Sequence, residues 1–239
     1  MASTKPNKPN KRIVLVSGDK GGVGKSTIAR ALAEFLTERN VPLIAFDGDD
    51  TNPTFMRFWG QDNTRRLHSR SAKGFEPLIN NLEANEPVQL VDLGAGTSLA
   101  LAQFADDSNF VSLTAEYGGR VTFFFALAPS ADSLYLLKLL LDRYADVADV
   151  VVARSEAIPG AWELWEGSKT RARLKEINGI ELVIPKLDPD AFSYADRESL
   201  SWGKAGESKA IPLVSRSYIK RWRQKVFAEF EKAVPVLIP

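Results

Sequence analysis

Short apolar runs alternate along this chain with longer stretches whose apolar positions recur every three or four residues. The run 12–17 (Arg-Ile-Val-Leu-Val-Ser) is apolar without alternation and meets glycines at once, as a strand buried on both faces of a parallel sheet does. Over 25–39, Ile28, Leu32, Phe35 and Leu36 fall at helical spacing, so a helix begins where the glycines end. A second buried strand is predicted at 41–46, and further apolar runs lie at 89–93 and 120–128. Residues 131–144 predict a helix with Leu134, Leu137, Leu141 and Tyr144 on one face. A strand at 147–153, a helix near 162–177 and a strand at 180–184 complete another pass. Strands alternating with helices predict an α/β fold: one mostly parallel, twisted sheet with helices on both faces. Residues 57–86 break the alternation. They carry Arg65, Arg66, His68 and Arg70, then Gly74 and Pro77, and read as a surface excursion.

Length changes this picture little, since 239 residues suit one such domain. The expected division is a disordered basic arm at 1–11 and a single domain at 12–239. An apolar share of 44% and a charged share of 26% are those of an ordinary soluble protein. The absence of cysteine excludes disulfides, thiolate zinc sites and Cys-ligated iron–sulfur clusters. No apolar run approaches the roughly 18 residues of a membrane span, and the opening residues lack the apolar segment of a secretory signal. A cytoplasmic location is expected. The net charge of +1 hides an uneven distribution: residues 1–12 carry +4 and residues 201–239 carry +5, around an acidic middle.

Candidate chemistry concentrates at residues 18–27 (Gly-Asp-Lys-Gly-Gly-Val-Gly-Lys-Ser-Thr), between the first strand and the first helix. Glycines let backbone N–H groups turn inward around an anion, and the helix directs its positive end at the same point. Gly21, Gly22, Val23 and Gly24 are the candidate cradle. Lys25 can neutralise β- and γ-phosphate charge, Ser26 can complete a Mg²⁺ shell, and Thr27 adds a donor near the α-phosphate. Asp19 stands where the general phosphate-loop pattern has its first glycine. An acid at the carboxyl end of a strand beside this loop, as Asp49 in the Asp47-Gly48-Asp49 cluster, can hold metal-bound water in line. A solvated acidic turn competes with this reading at 47–50, and an ordinary glycine turn at 94–96.

The string from Lys20 to Thr27 resembles the deviant Walker A box of the ParA/MinD family of P-loop ATPases. The resemblance runs over residues 12–190 and is most specific to the small plasmid-stability and conjugal-transfer members, of the StbB and TraL kind. It implies ATP and Mg²⁺ as cofactors, slow ATP hydrolysis and a nucleotide-dependent homodimer. In that family the lysine matched by Lys20 reaches the partner's nucleotide. Asp49 matches the switch I acid that positions Mg²⁺ and the attacking water, and Asp92 would hold Mg²⁺ through water. Gly94 would meet the γ-phosphate, and Pro185 in the Ile-Pro pair at 184–185 would lie beside the base. Two departures stand out: Asp50-Thr51-Asn52-Pro53 replaces the usual Pro-Gln, and Ala153 stands where an Asn usually precedes Arg154.

Along 215–234, Ile219, Trp222, Val226, Phe227, Phe230, Ala233 and Val234 share one helical face, with Arg216, Lys220, Arg221, Arg223 and Lys225 largely off it. Packing of this helix on the sheet is favoured over membrane attachment, and its basic side offers non-specific contact with DNA. Phe55, Met56, Phe58 and Trp59 read as core in preference to a partner surface, and Trp162 and Trp165 as buried on a helix. The implied output is DNA partition, positioning or conjugal transfer with a partner protein. Two further readings stay open: a metabolic P-loop enzyme similar to dethiobiotin synthetase, and a nucleotide-gated adaptor that barely hydrolyses.

Overall fold

The computed structural model describes residues 10–18, 20–160 and 162–239. The expected arm therefore lies outside the described residues up to position 9, while Lys11 opens the first strand. The apolar run becomes β1 (Lys11–Ser17), followed by α1 (Lys25–Glu38), β2 (Leu43–Gly48), α2 (Thr54–Trp59), β3 (Thr64–Arg66) and α3 (Glu76–Asn80). Next come β4 (Val88–Leu93), α4 (Ser98–Ser108), α5 (Phe110–Glu116), β5 (Gly119–Leu127), α6 (Ala131–Tyr144) and β6 (Asp149–Ser155). The chain finishes with α7 (Glu163–Glu166), α8 (Lys169–Glu176), β7 (Ile180–Ile184), α9 (Pro189–Arg197), α10 (Trp202–Glu207), α11 (Leu213–Glu231) and α12 (Val234–Leu237).

The seven strands form one sheet in the order β3-β2-β4-β1-β5-β6-β7, with every neighbouring pair parallel. This is the predicted α/β fold. Successive residues of β1 serve opposite faces, as strand geometry requires. Val14 and Val16 pack into a core with α1 and α11, whereas Ile13 and Leu15 join Phe75, Phe104 and Phe110 on the other side. Because the strands are parallel, their carboxyl ends share one rim. The register aligns Val16 with Asp92 and Asp92 with Asp47, which sets both acids level with the start of the glycine loop.

The C-terminal helix packs as predicted. Ile219, Trp222, Val226 and Phe230 of α11 are buried, and Phe35 of α1 meets Phe227 and Phe230 edge-on. Glu229 of α11 also accepts the β7 edge N–H of Val183 at 3.0 Å. Phe55 and Phe58 are core residues, and Trp59 packs partly buried against the same cluster.

Two expectations are corrected. Residues 57–86 are not a surface excursion: β3 adds an edge strand beside β2, and Phe75, Leu78 and Leu82 are buried beneath α4 and α5. The helix expected near 162–177 is two short ones. The chain breaks at Gly167, and Ser168 starts α8 anew by accepting the N–H of Arg171.

Candidate functional site

The glycine loop is shaped by backbone conformations that side chains resist. Gly22 and Gly24 have φ of 77° and 91°, and a Cβ at either would meet nothing within 4 Å. The loop therefore surrounds open space. Gly18 is tighter, since a Cβ there would lie 2.7 Å from the Ala126 carbonyl of β5. Val23 turns its side chain into the core, leaving only its backbone for the cradle. Asp19 lies outside the described residues.

Gly24 also begins α1 with no side-chain cap, and the first turn of α1 holds no acidic residue. The early N–H groups of that helix and its positive pole are left for an anion to satisfy. Lys25 is buried, and its ammonium donates to the Lys20 carbonyl at 2.9 Å, across the mouth of the loop. Ser26 and Thr27 follow on the same turn, both half-buried. Lys20 is exposed and turns toward the first turn of α6, with Nζ 3.6 Å from Asp132.

The acids differ sharply in environment. Asp92, at the end of β4, is 1% exposed, and neither carboxylate oxygen closes a well-formed hydrogen bond. Burial pushes its carboxyl up to about 7; the Ser26 hydroxyl pulls it down, Asp47 pushes it up, and Lys25 and Asp49 act more weakly in opposite senses. Asp47 is buried too, and burial raises its pKa, but its oxygens accept the N–H groups of Asp49 at 3.0 Å and Met56 at 2.9 Å. Asp49 is half-buried and uses Oδ1 to accept from Thr51 and Asn52 at 2.9 and 3.0 Å, an Asx turn in the loop after β2.

Gly94 joins the two acidic loops. A Cβ on it would stand 3.0 Å from the Gly48 carbonyl and 3.2 Å from the Asp49 Cα, so the β4 loop touches the β2 loop backbone to backbone. The structure thus gathers Lys20, Gly21, Gly22, Val23, Gly24, Lys25, Ser26, Thr27, Asp49, Asp92 and Gly94 at one end of β1, β2 and β4. Pro185 stands apart from them. It follows β7, and its carbonyl accepts the Trp222 indole N–H at 2.7 Å, which ties it to α11.

Sequence reasoning passed over the chain after β3. Arg66 donates to the Asp49 carbonyl at 3.1 Å, and Arg70 to the Thr51 hydroxyl at 2.7 Å. The available signal was alternation: basic residues at 66, 68 and 70 point one way on an extended chain, opposite the acidic turn at 47–50. A parallel sheet with a glycine loop after its central strand and acids closing the adjacent strands defines a P-loop nucleotide-binding protein.

The comparisons make the class narrower. The chain resembles P-loop NTPases of the ParA/MinD type: residues 9–95 match the ParA family model, described as NUBPL iron-transfer P-loop NTPase. MobD of Acidithiobacillus ferrooxidans is 28% identical, over 90% of this chain and 94% of its own length. A TraL protein of Escherichia coli is 27% identical, over 93% of this chain and 98% of its own. Among solved structures, the septum site-determining protein MinD of Pyrococcus horikoshii, complexed with Mg-ADP, shares the fold with a TM-score of 0.55. That likeness holds at 18% identity and covers 94% of this chain and 97% of the other.

Proposed function

We propose that this chain is an ATP-driven dimerisation switch that hydrolyses Mg·ATP slowly and serves the partition, positioning or conjugal transfer of DNA. The observation that carries the reading is Asp92. A fully buried carboxylate without a well-formed hydrogen bond, beside a hydroxyl and a lysine at the mouth of an open glycine loop, suits a hydrated divalent cation. Among the described residues no three acids or histidines converge to hold a metal by themselves. Ser26 and a water-mediated Asp92, with phosphate oxygens, would complete the shell. Mg·ATP supplies the phosphoanhydride and the charge that such a site is built to stabilise.

The chain's own parts divide the work. Backbone N–H groups of 21–24 and the uncapped start of α1 bind phosphate oxygens. Lys25 exchanges its bond to the Lys20 carbonyl for phosphate charge. Asp49, at the end of β2, orients water, and Gly94 senses the terminal phosphate through its N–H, moving with Gly48 because the two backbones touch. Hydrolysis on this reading rests on positioning and charge, and it is slow. Lys20 lies exposed at the rim, where it can cross to a second copy. The full-length likeness to TraL supports a role in conjugal transfer. On α11, Arg221 and Lys225 are exposed, and among the described residues neither pairs with a carboxylate; they are suited to salt-sensitive contact with phosphate backbone.

Light scattering on an Asp49→Ala variant in Mg·ATP and in Mg·ADP tests the switch. A dimer in ATP that becomes a monomer in ADP, and is lost with Lys20→Ala, is the expected result. The same mass in both nucleotides would sink it.

A further inference from the structure

The chain from Arg66, the last residue of β3, to Arg70 grips the switch I loop at every successive residue from 47 to 51. Leu67 N–H donates to the Asp47 carbonyl at 2.9 Å, and the buried Ser69 hydroxyl donates to the Gly48 carbonyl. The Arg66 guanidinium is forked: Nη1 donates to the Asp49 carbonyl at 3.1 Å, while Nη2 lies 3.6 Å from the Asp50 carboxylate. His68 Nδ1 lies 3.3 Å from the same Asp50 oxygen, and Arg70 donates to the Thr51 hydroxyl at 2.7 Å. The gripping segment is itself fixed from behind. Gly74 approaches so closely that a Cβ would sit 1.8 Å from the His68 carbonyl, which only glycine permits.

These contacts reach the carbonyls of Asp47, Gly48 and Asp49 and the side chains of Asp50 and Thr51, and none takes the Asp49 carboxylate. They decide where Asp49 stands without consuming its charge. We propose that Arg66, assisted by Arg70, is a positioning residue for switch I: its forked contact with the Asp49 carbonyl and the Asp50 carboxylate holds Asp49 in place for hydrolysis. The role rests on the ATPase reading above. A guanidinium makes both contacts from one plane, which an ammonium cannot do. Arg66→Lys keeps one at most and lies between wild type and Arg66→Ala.

The test pairs two readouts on the full chain. Hydrogen exchange of residues 48–52 is measured without nucleotide, and single-turnover hydrolysis and affinity are measured with Mg·ATP. In Arg66→Ala, exchange of this segment rises about tenfold as the loop opens locally. The hydrolysis rate constant falls about tenfold, while the affinity for Mg·ATP changes by less than about threefold, the mark of an effect on positioning. Arg70→Ala, at an exposed residue, shows the same pattern more weakly, so misfolding of one variant does not decide the matter. Unchanged exchange, or faster exchange with an unchanged hydrolysis rate, overturns the positioning role alone. A wild-type chain that binds but does not hydrolyse ATP sinks the ATPase reading and this role with it.

Discussion

At Asp92 the fold buries a carboxylate whose oxygens close no well-formed hydrogen bond, and that position has a measurable signature without any ligand. An ordinary aspartate titrates near ~3.9 in an unfolded chain, whereas burial raises Asp92 to about 7 in the folded one. A raised carboxyl favours folding fully below the unfolded value and loses that advantage as pH rises through the folded value. Nucleotide-free, magnesium-free protein should therefore lose stability between about pH 4 and pH 7, with a ceiling of about 4 kcal/mol from this group. Asp92→Asn should flatten the loss and be the more stable form at pH 8. Asp47, raised in the same sense, keeps part of the slope in the variant. Urea denaturation at pH 5 and pH 8 checks this, and a variant no more stable than wild type at pH 8 would refute it. Most of the site was legible at this scale, because glycines and a lysine at fixed spacing leave few other uses. The raised pKa of Asp92 was not, since it depends on the depth of β4 in the sheet.

Among the elements, α11 does more than cover apolar surface. Trp222 is buried at 4% exposure, stacks at an angle on Trp202, and donates to the Pro185 carbonyl, fixing the loop after β7. Trp222→Phe should cost about 2 kcal/mol, since a smaller aromatic ring survives while the hydrogen bond and part of the packing do not. Trp222→Ala should cost about 3–5 kcal/mol through the cavity it leaves. Equal losses for the two variants in urea titrations would show that the Pro185 bond carries the whole effect. The sequence pattern found β1, β4, β5 and β7 because buried parallel strands are continuous apolar runs. It found α6 at both ends from the spacing of Leu134, Leu137, Leu141 and Tyr144, and the structure adds a cap at Ser130, whose hydroxyl accepts the Ser133 N–H. It missed β3, whose Thr-Arg-Arg has no apolar pattern and is a strand only by its register against β2. It ran across Gly167, where a local break outweighs helical spacing on either side.

Over the whole molecule, parallel strands bring every site loop to one rim and leave two lateral edges. The β3 edge is three residues long, and on the β7 edge the Val183 N–H is taken by Glu229 of α11. Glu229→Ala frees that N–H and should allow slow growth of scattered mass that ignores nucleotide, in contrast to the mass change expected at the rim. A variant that stays at the wild-type mass over days would show the carboxylate to be dispensable there. Edges blunted in this way deny other chains a template for adding strands. Copies that pair as proposed, rim to rim across a twofold axis, would close on themselves after two, giving a finite particle in place of a filament.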